Sequence, residues 1–456
     1  MTLEPLEWAL RANSADYCEI RLETRLTTRI VYHGQRLETV STVVNEGGIV
    51  RALSHQGGWG LSTFNNQQDL ANRVEQACHH ARLVPRREIA LAPHPVVIET
   101  LPAARPEASQ RVTLEEQHAL ISRYNTILLG HPQIVDTSAM YIDRFVTVSY
   151  ANSEGTRIIE ERPMTEVMLG ATARDGTNVQ RSGDGSSSAM GHGALLELDE
   201  LASSVARRAR SLLSAETVVG GVYPVICDPR LAGVFVHEAF GHLSESDFVY
   251  TNPQAQEMMS LGRRFGGEQL NIVDDGTLEG ERGTHRFDDE GTPTQRTPLV
   301  QKGILVGRLH SRETAGALGE RATGNARATD FRYPPIVRMT NTFIEPQDRT
   351  LEQMLADVDL GVYACQAIGG MTMLENFSFS AGYGYMIRGG QVAELVKDVV
   401  LAGNLFSTLA NIDAIGNDLT FSRTGNCGKG QGGGLPVGIG APHIRIQDVA
   451  MGGRQA

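Results

Sequence analysis

Three residues in one short stretch have the types and spacing for hydrolytic chemistry. His237, Glu238 and His242 lie within Cys227–Asp247, which reads CDPRLAGVFVHEAFGHLSESD. Two imidazoles are nitrogen ligands suited to zinc, and an adjacent carboxylate can act as a general base. The competing reading is a buried helix with two hydrogen-bonded histidines. The spacing is HExxxH rather than HExxH. At about 100° per residue, positions i and i+4 share a helix face, whereas i and i+5 stand roughly 140° apart. An ideal helix would aim His237 and His242 in different directions and leave Glu238 facing His242, which makes Glu238 an alternative ligand. For both histidines to meet one ion, the backbone must widen into a π-type turn, or the helix must end early, at Ala239–Gly241. Gly241 has no Cβ to resist, so the departure is expected to concentrate there.

Other segments could also carry chemistry. Cys427 sits in Thr424–Gly430, TGNCGKG, where flanking glycines can aim a thiolate and Lys429 would favour its deprotonated form. Glu245 and Asp247 follow the histidine motif closely enough to orient an imidazole N–H from behind. The acidic turn DDEG (288–291) is read as a solvated loop rather than a cation site. The Gly/Ser-rich run 183–193, GDGSSSAMGHG, lacks the Lys-Ser/Thr pair of a phosphate-binding loop and is read as a solvated loop near the active site.

The elements that must position these residues follow from pattern. Val222–Cys227 is apolar and β-branched, as a strand would be. Asp228 is an N-cap, Pro229 fits the first helical position, and Leu231, Val234 and Phe235 give the helix a buried face. Upstream, residues 4–13 suit a helix, and Cys18–Tyr32, Leu37–Asn45 and Gly48–Ser54 suit strands, the last two separated by a turn at Glu46–Gly48. Asp69–Arg82, Leu114–Leu129 and Leu196–Ser214 read as helices, and residues 134–174 as strands turning at Asn152–Gly155. Downstream, Asn252–Phe265 reads as a helix, and residues 311–335 show little periodicity. Arg338–Ile344 is a strand and a candidate edge for holding an extended peptide. The expected class is α+β: an N-terminal α+β unit (1–85), a Pro-rich connector (86–108), a middle α+β unit (109–218), and a large mixed, strand-rich, barrel-like C-terminal domain (219–456) around the metal helix.

At 456 residues, 41% hydrophobic and 21% charged, the chain has the composition of a globular protein of two or three domains. A net charge of −12 disfavours a nucleic-acid partner. No signal peptide and no bilayer-spanning apolar run are evident, so a cytoplasmic location without membrane attachment is expected. Cys18, Cys78, Cys227, Cys365 and Cys427 are scattered and odd in number, which argues against a disulfide framework.

Three separated motifs carry a resemblance. HEAFGHLSESD, ATDFRYPPIVRMTNTFIEP (328–346) and GNCGKGQGG (425–433) resemble, in order, those of the TldD/PmbA metalloproteases, and the likeness extends from ADYCEIRLE (15–23) to the end. The last motif departs slightly, reading CGKGQGGG where the more usual form is CGKxGQ. The resemblance implies that His237, His242 and Cys427 ligate Zn2+ and that Glu238 is the base acting on a zinc-bound water. It implies peptides or unfolded segments as substrates, and a homodimer or a heterodimer with a PmbA/TldE-like subunit. Subunits of the PmbA (TldE) type lack the metal motif, so this chain resembles the active, TldD side. The alternative is a non-catalytic interaction or modulator subunit with a structural metal, which would need a fourth protein ligand such as His443 or Asp418. A role as a DNA-gyrase modulator is attached to the family name, and the acidic balance lends it no support.

Overall fold

Long alternating strands build the first half of the chain. The computed structural model describes residues 3–84, 88–103, 112–373, 375–431 and 433–454. Strands β1 (Tyr17–His33), β2 (Arg36–Leu53), β3 (Trp59–Phe64), β4 (Ile98–Leu101), β5 (Ile134–Asn152), β6 (Arg157–Asp175) and β7 (Asn178–Ser188) form one sheet. Its order is β3-β2-β1-β5-β6-β4, with β7 pairing along another stretch of β6. All neighbours are antiparallel except β4, which lies parallel to β6. Helices α1 (Glu4–Leu10), α2 (Leu70–Leu83), α3 (Leu114–Leu129) and α4 (Asp199–Ser211) bury their apolar stripes on it. The sheet thus draws strands from both sides of the Pro-rich segment. That segment contributes β4, while residues 86–87 and 104–108 of it lie outside the described residues.

Three expectations for this region and its docking face are overturned. No turn interrupts β2 at Glu46–Gly48; Glu46, Gly47 and Gly48 pair with Thr24, Glu23 and Leu22. The glycines are there for space: a Cβ at Gly47 would lie 2.3 Å from the Phe331 ring, and one at Gly48 would lie 2.3 Å from the Phe64 ring. The Gly/Ser-rich run is no solvated loop over most of its length. Asn178–Ser188 is strand, paired with β6 from Asp175 to Thr165, and Ser186–Ser188 are buried. An edge strand needs no continuous apolar face, which is why its composition read as loop. DDEG is not solvated either. Asp288, Asp289 and Glu290 are buried against the first sheet. Arg21 and Arg162 pair with Asp289 at 2.7 and 3.0 Å, and Arg51 pairs with Glu290 at 2.7 Å. Asp288 accepts the backbone N–H groups of Glu290, Thr292 and Ala326. Charges at that depth persist only with such partners.

The second half is mixed and strand-rich. One sheet runs Leu360–Met373, Gly221–Cys227, Ile444–Gly452, Val400–Asn404, Asn376–Arg388, Gln391–Lys397 and Glu216–Thr217, with Ile412–Ile415 beside Ile444–Gly452. Leu360–Met373 also pairs with Asn376–Arg388, so the first five strands form a closed circuit, as a barrel does. A six-stranded sheet runs Ile304–Leu305, Arg296–Gln301, Ile272–Asp275, Asn341–Ile344, Gly438–Ala441 and Thr420–Ser422. Asn341–Ile344 lies inside it, paired on both sides, so it offers no free edge for a peptide. The helix expected at Asn252–Phe265 is confined to Pro253–Met258, and the aperiodic stretch after 311 begins with a helix, Arg312–Leu318, capped by Ser311.

Between the two sheets lies α5 (Pro229–Val236), leading from the strand Gly221–Cys227. Asp228 Oδ1 accepts the N–H of Leu231 at 2.8 Å, and Pro229 starts the helix. Leu231, Ala232, Phe235 and Val236 are buried, with Phe235 edge-on to Phe377 and Phe379. This core orients everything that follows on the helix.

Candidate metal centre

The helix changes character at the motif. His237–Gly241 is a π turn, and the N–H of His242 bonds to the carbonyl of His237 five residues back. This brings the two imidazoles onto one side, with ring centroids 5.1 Å apart. Gly241 has ordinary helical dihedrals, φ −56° and ψ −51°, so the departure does not concentrate in its backbone. A Cβ there would instead lie 2.1 Å from Met339 Sδ.

Cys427 arrives from 185 residues away, with its Sγ 3.2 Å from His242 Nε2. It lies in the two-stranded pairing of Asn426–Cys427 with Leu435–Pro436. One candidate ligand atom each from His237, His242 and Cys427 falls within a 4.8 Å cluster. Arg282 donates to the Gly425 carbonyl at 2.7 Å and to Asn426 Oδ1 at 3.0 Å, and Arg338 donates to the carbonyl of Cys427. These two buried guanidiniums fix the backbone that carries the thiol, and nothing in local sequence pattern marks them.

The surroundings suit a thiolate. Burial pushes the Cys427 thiol up, but hydrogen bonds to His237 and His242 outweigh it and hold it at about 5. Burial pulls His242 down, and Cys427 and Glu245 outweigh it, raising the imidazole to about 10. Lys429, expected beside the thiol, turns instead to Glu245 at 2.8 Å, Asp247 at 2.7 Å and the Val337 carbonyl at 3.0 Å. Of the two acidic residues after the motif, Glu245 stands behind an imidazole, 2.9 Å from His242 Nδ1, while Asp247 meets only the lysine of this pair. A buried carboxylate on the far nitrogen fixes an imidazole's tautomer and leaves Nε2 free to coordinate.

Glu238 is partly exposed, with Oε2 4.0 Å from His242 Nε2. With His237, it lines a cleft of about 560 Å³ walled by Arg181–Asp184 of β7 and by Gln366–Gly370. His443 and Asp418 are engaged elsewhere, with each other at 2.5 Å and, through His443 Nε2, with Tyr363 at 2.9 Å. Among the described residues the cluster therefore has three members, two nitrogens and one sulfur. That donor set fits zinc, and the buried, unpartnered His237 Nδ1 marks a polar atom with no protein partner in this shell. All five cysteines are free.

Fold and site together set an interrupted helix, with His237, Glu238 and His242 on it, between two sheets and beside an open cleft. The chain belongs to the PmbA/TldD metallopeptidase family. Residues 18–81, 107–213 and 220–453 match the models for domain 1, the central domain and the C-terminal domain of the PmbA/TldA metallopeptidases. A protein named as a metalloprotease from Synechocystis sp. is 47% identical over 447 residues, covering 97% of this chain and 96% of its own. A zinc metalloprotease TldD homolog from Saccharolobus solfataricus is 28% identical, covering 96% and 97%. Among solved structures, TldE from Thermococcus kodakarensis superposes with a TM-score of 0.80 at 18% identity, covering 98% of this chain and 99% of that one. The mixed α+β fold is thus that of the family. Among the described residues no helix is long and apolar enough to cross a membrane.

Proposed function

We propose that this chain is a zinc-dependent peptidase in which His237, His242 and Cys427 hold the metal and Glu238 is the general base. The observation that carries the reading is the convergence of these three side chains beside Glu238, with no fourth protein ligand among the described residues. Zinc bound there would supply Lewis acidity, polarising a scissile carbonyl and acidifying a water. The chain's own residues do the rest. Glu238, facing the cleft, accepts a proton from water and delivers it to the leaving amine. Glu245 holds His242 in the ligating tautomer, and Lys429 holds Glu245.

Substrate is an extended peptide or unfolded segment. Among the described residues β7 pairs only with β6, and its Arg181–Asp184 stretch lines the cleft beside Glu238. A peptide laid along that free edge would gain main-chain hydrogen bonds without demanding a particular side chain. The working assembly is a dimer, with a second copy or with a TldE-like subunit, acting in the cytoplasm without nucleic acid. The competing reading, a modulator with a structural metal, requires a closed four-ligand site, and the engagement of His443 with Asp418 and Tyr363 weighs against it.

Elemental analysis paired with mass-spectrometric digestion of an unfolded polypeptide tests the reading. Glu238→Gln should retain one zinc per chain and lose activity by about 10²-fold or more. Full activity in that variant would remove Glu238 from the mechanism, and a parent chain without bound zinc would remove the metal.

A further inference from the structure

The cleft beside Glu238 has a charge opposite to that of the whole molecule. The chain carries a net −12, yet the cleft wall bears Arg181, Arg208 and Arg230 against one carboxylate, Asp184, besides Glu238 itself. Asp184 is almost fully buried and serves both nearer arginines. It pairs with Arg230 Nη1, lies 3.5 Å from Arg208 Nη2, and accepts from Gln366 Nε2 at 3.0 Å. One carboxylate cannot neutralise two guanidiniums. Arg208 is further fixed by donating to Ser182 Oγ at 2.7 Å and by lying over the Tyr383 ring. Arg230 is one-third exposed, and among the described residues Asp184 is its sole ion-pair partner.

Helix geometry sets where Arg230 stands relative to the metal ligands. Arg230 and His237 are seven residues apart on a continuous helical stretch, close to two full turns, so they face the same way. The rise over seven residues is about 10 Å, which an extended peptide spans in about three residues.

We propose that Arg230, held in place by Asp184 and reinforced by Arg208, binds a substrate carboxylate about three residues from the scissile bond. The proposal rests on the peptidase reading above. An Asp or Glu side chain could bring this carboxylate, and so could the peptide's own C-terminus. The first source makes the enzyme an endopeptidase with an acidic preference, and the second makes it a trimmer of short C-terminal fragments. A planar guanidinium already braced on one side is pre-organised for a bidentate grip on either.

Two peptide series separate the sources. In one, a single Glu is walked along an amidated neutral peptide, with Gln at the same place as isostere. In the other, the neutral peptide carries a free or an amidated C-terminus. Cleavage is read by mass spectrometry as the ratio of kcat/KM between each carboxylate peptide and its isostere. The parent chain should favour one carboxylate peptide by about tenfold, as expected of a charge-assisted contact in a half-shielded cleft. Arg230→Gln should bring that ratio to near one, Arg230→Lys should keep part of it, and Asp184→Asn should weaken it by freeing the arginine. A parent ratio near one for both series, or a ratio that survives Arg230→Gln, overturns the proposal. Fluorescence anisotropy of labelled peptides on Glu238→Gln provides an arm independent of turnover. There, carboxylate-dependent binding should vanish when Arg230→Gln is added. If the parent cleaves nothing, the peptidase reading fails, and the anisotropy arm still decides the carboxylate site.

Discussion

Gly241→Ala tests why the interrupted helix carries glycine before its second histidine. Backbone freedom is not the reason, since φ −56° and ψ −51° suit any residue. On intrinsic propensity, alanine would be favoured by about 0.8–1 kcal/mol. Space opposes it. The added methyl would sit 2.1 Å from Met339 Sδ and 3.1 Å from Met339 Cε, where about 3.5–4 Å is needed, so the thioether must retreat by about 1.5 Å. Met339 is fully buried, so its thioether must find that room inside a packed core rather than in solvent. Overpacking a buried site typically costs about 1–3 kcal/mol, leaving a net destabilisation of up to about 2 kcal/mol after the propensity gain. Denaturant titration measures this, and zinc content per chain reports whether the π turn is distorted. The double variant Gly241→Ala/Met339→Ala supplies the decisive comparison. If the clash is the cause, the two changes should couple by about 1 kcal/mol or more, the double being less harmful than the sum. Strict additivity of the two changes would refute the reasoning.

Three further outcomes follow from contacts around the site. Glu245→Gln should lower zinc affinity by about 10–100-fold in chelator competition without removing a ligand, because His242 loses its anionic partner. Glu166 pairs with Arg282 at 3.0 Å, and Arg282 holds Gly425 and Asn426, so Glu166→Gln should weaken zinc binding from a strand that never touches the metal; an unaltered affinity would show that the loop needs no such brace. Burial would raise the Asp289 carboxyl, but Arg21 and Arg162 outweigh it and hold it below the ordinary carboxylate range. Its stabilisation is then fully present above the unfolded value near 3.9 and fades as pH falls through that value and below, so Asp289→Asn should cost about 3–5 kcal/mol at pH 7 and progressively less below about pH 4 in urea titrations.

Local pattern carried some features of this molecule and could not carry others. The π turn was legible because HExxxH contradicts an ideal helix for two co-ligating histidines, and a contradiction of that kind names its own remedy. The cap at Asp228 and the buried face led by Leu231 and Phe235 were legible for the same local reason. Arg338 and Arg282 were not, because what they hold lies 89 and 143–144 positions further on, and only the fold joins them. Misreadings came from composition. DDEG looked like a surface turn because acidic residues usually are, and its partners, Arg21, Arg51 and Arg162, sit in strands more than a hundred residues earlier. Arg338–Ile344 has the polar interleaving of an edge strand, but buried Asp274 absorbs that polarity by accepting from Thr340 and Thr342.

The same distances explain why the site cannot be assigned to one segment of the chain. The ligand helix belongs to the second half, but the cleft wall opposite Glu238 is β7, and Arg208 comes from α4. The halves meet through charges that are mostly buried: Arg230 with Asp184, Arg282 with Glu166, Arg162 with Asp289 and Arg51 with Glu290. Buried pairs of this kind add little net stability over an apolar contact, because desolvation offsets much of the attraction. They do penalise misregister heavily, since a shift of one residue leaves a guanidinium or a carboxylate unpaired at depth. Their value here is therefore positional. Two of the four pairs hold groups that bear on the candidate centre, Arg230 in the wall of the cleft and Arg282 on the backbone just before Cys427. Docking of the first sheet against the second half is, on this geometry, what sets Arg181–Asp184 of β7 across the cleft from Glu238.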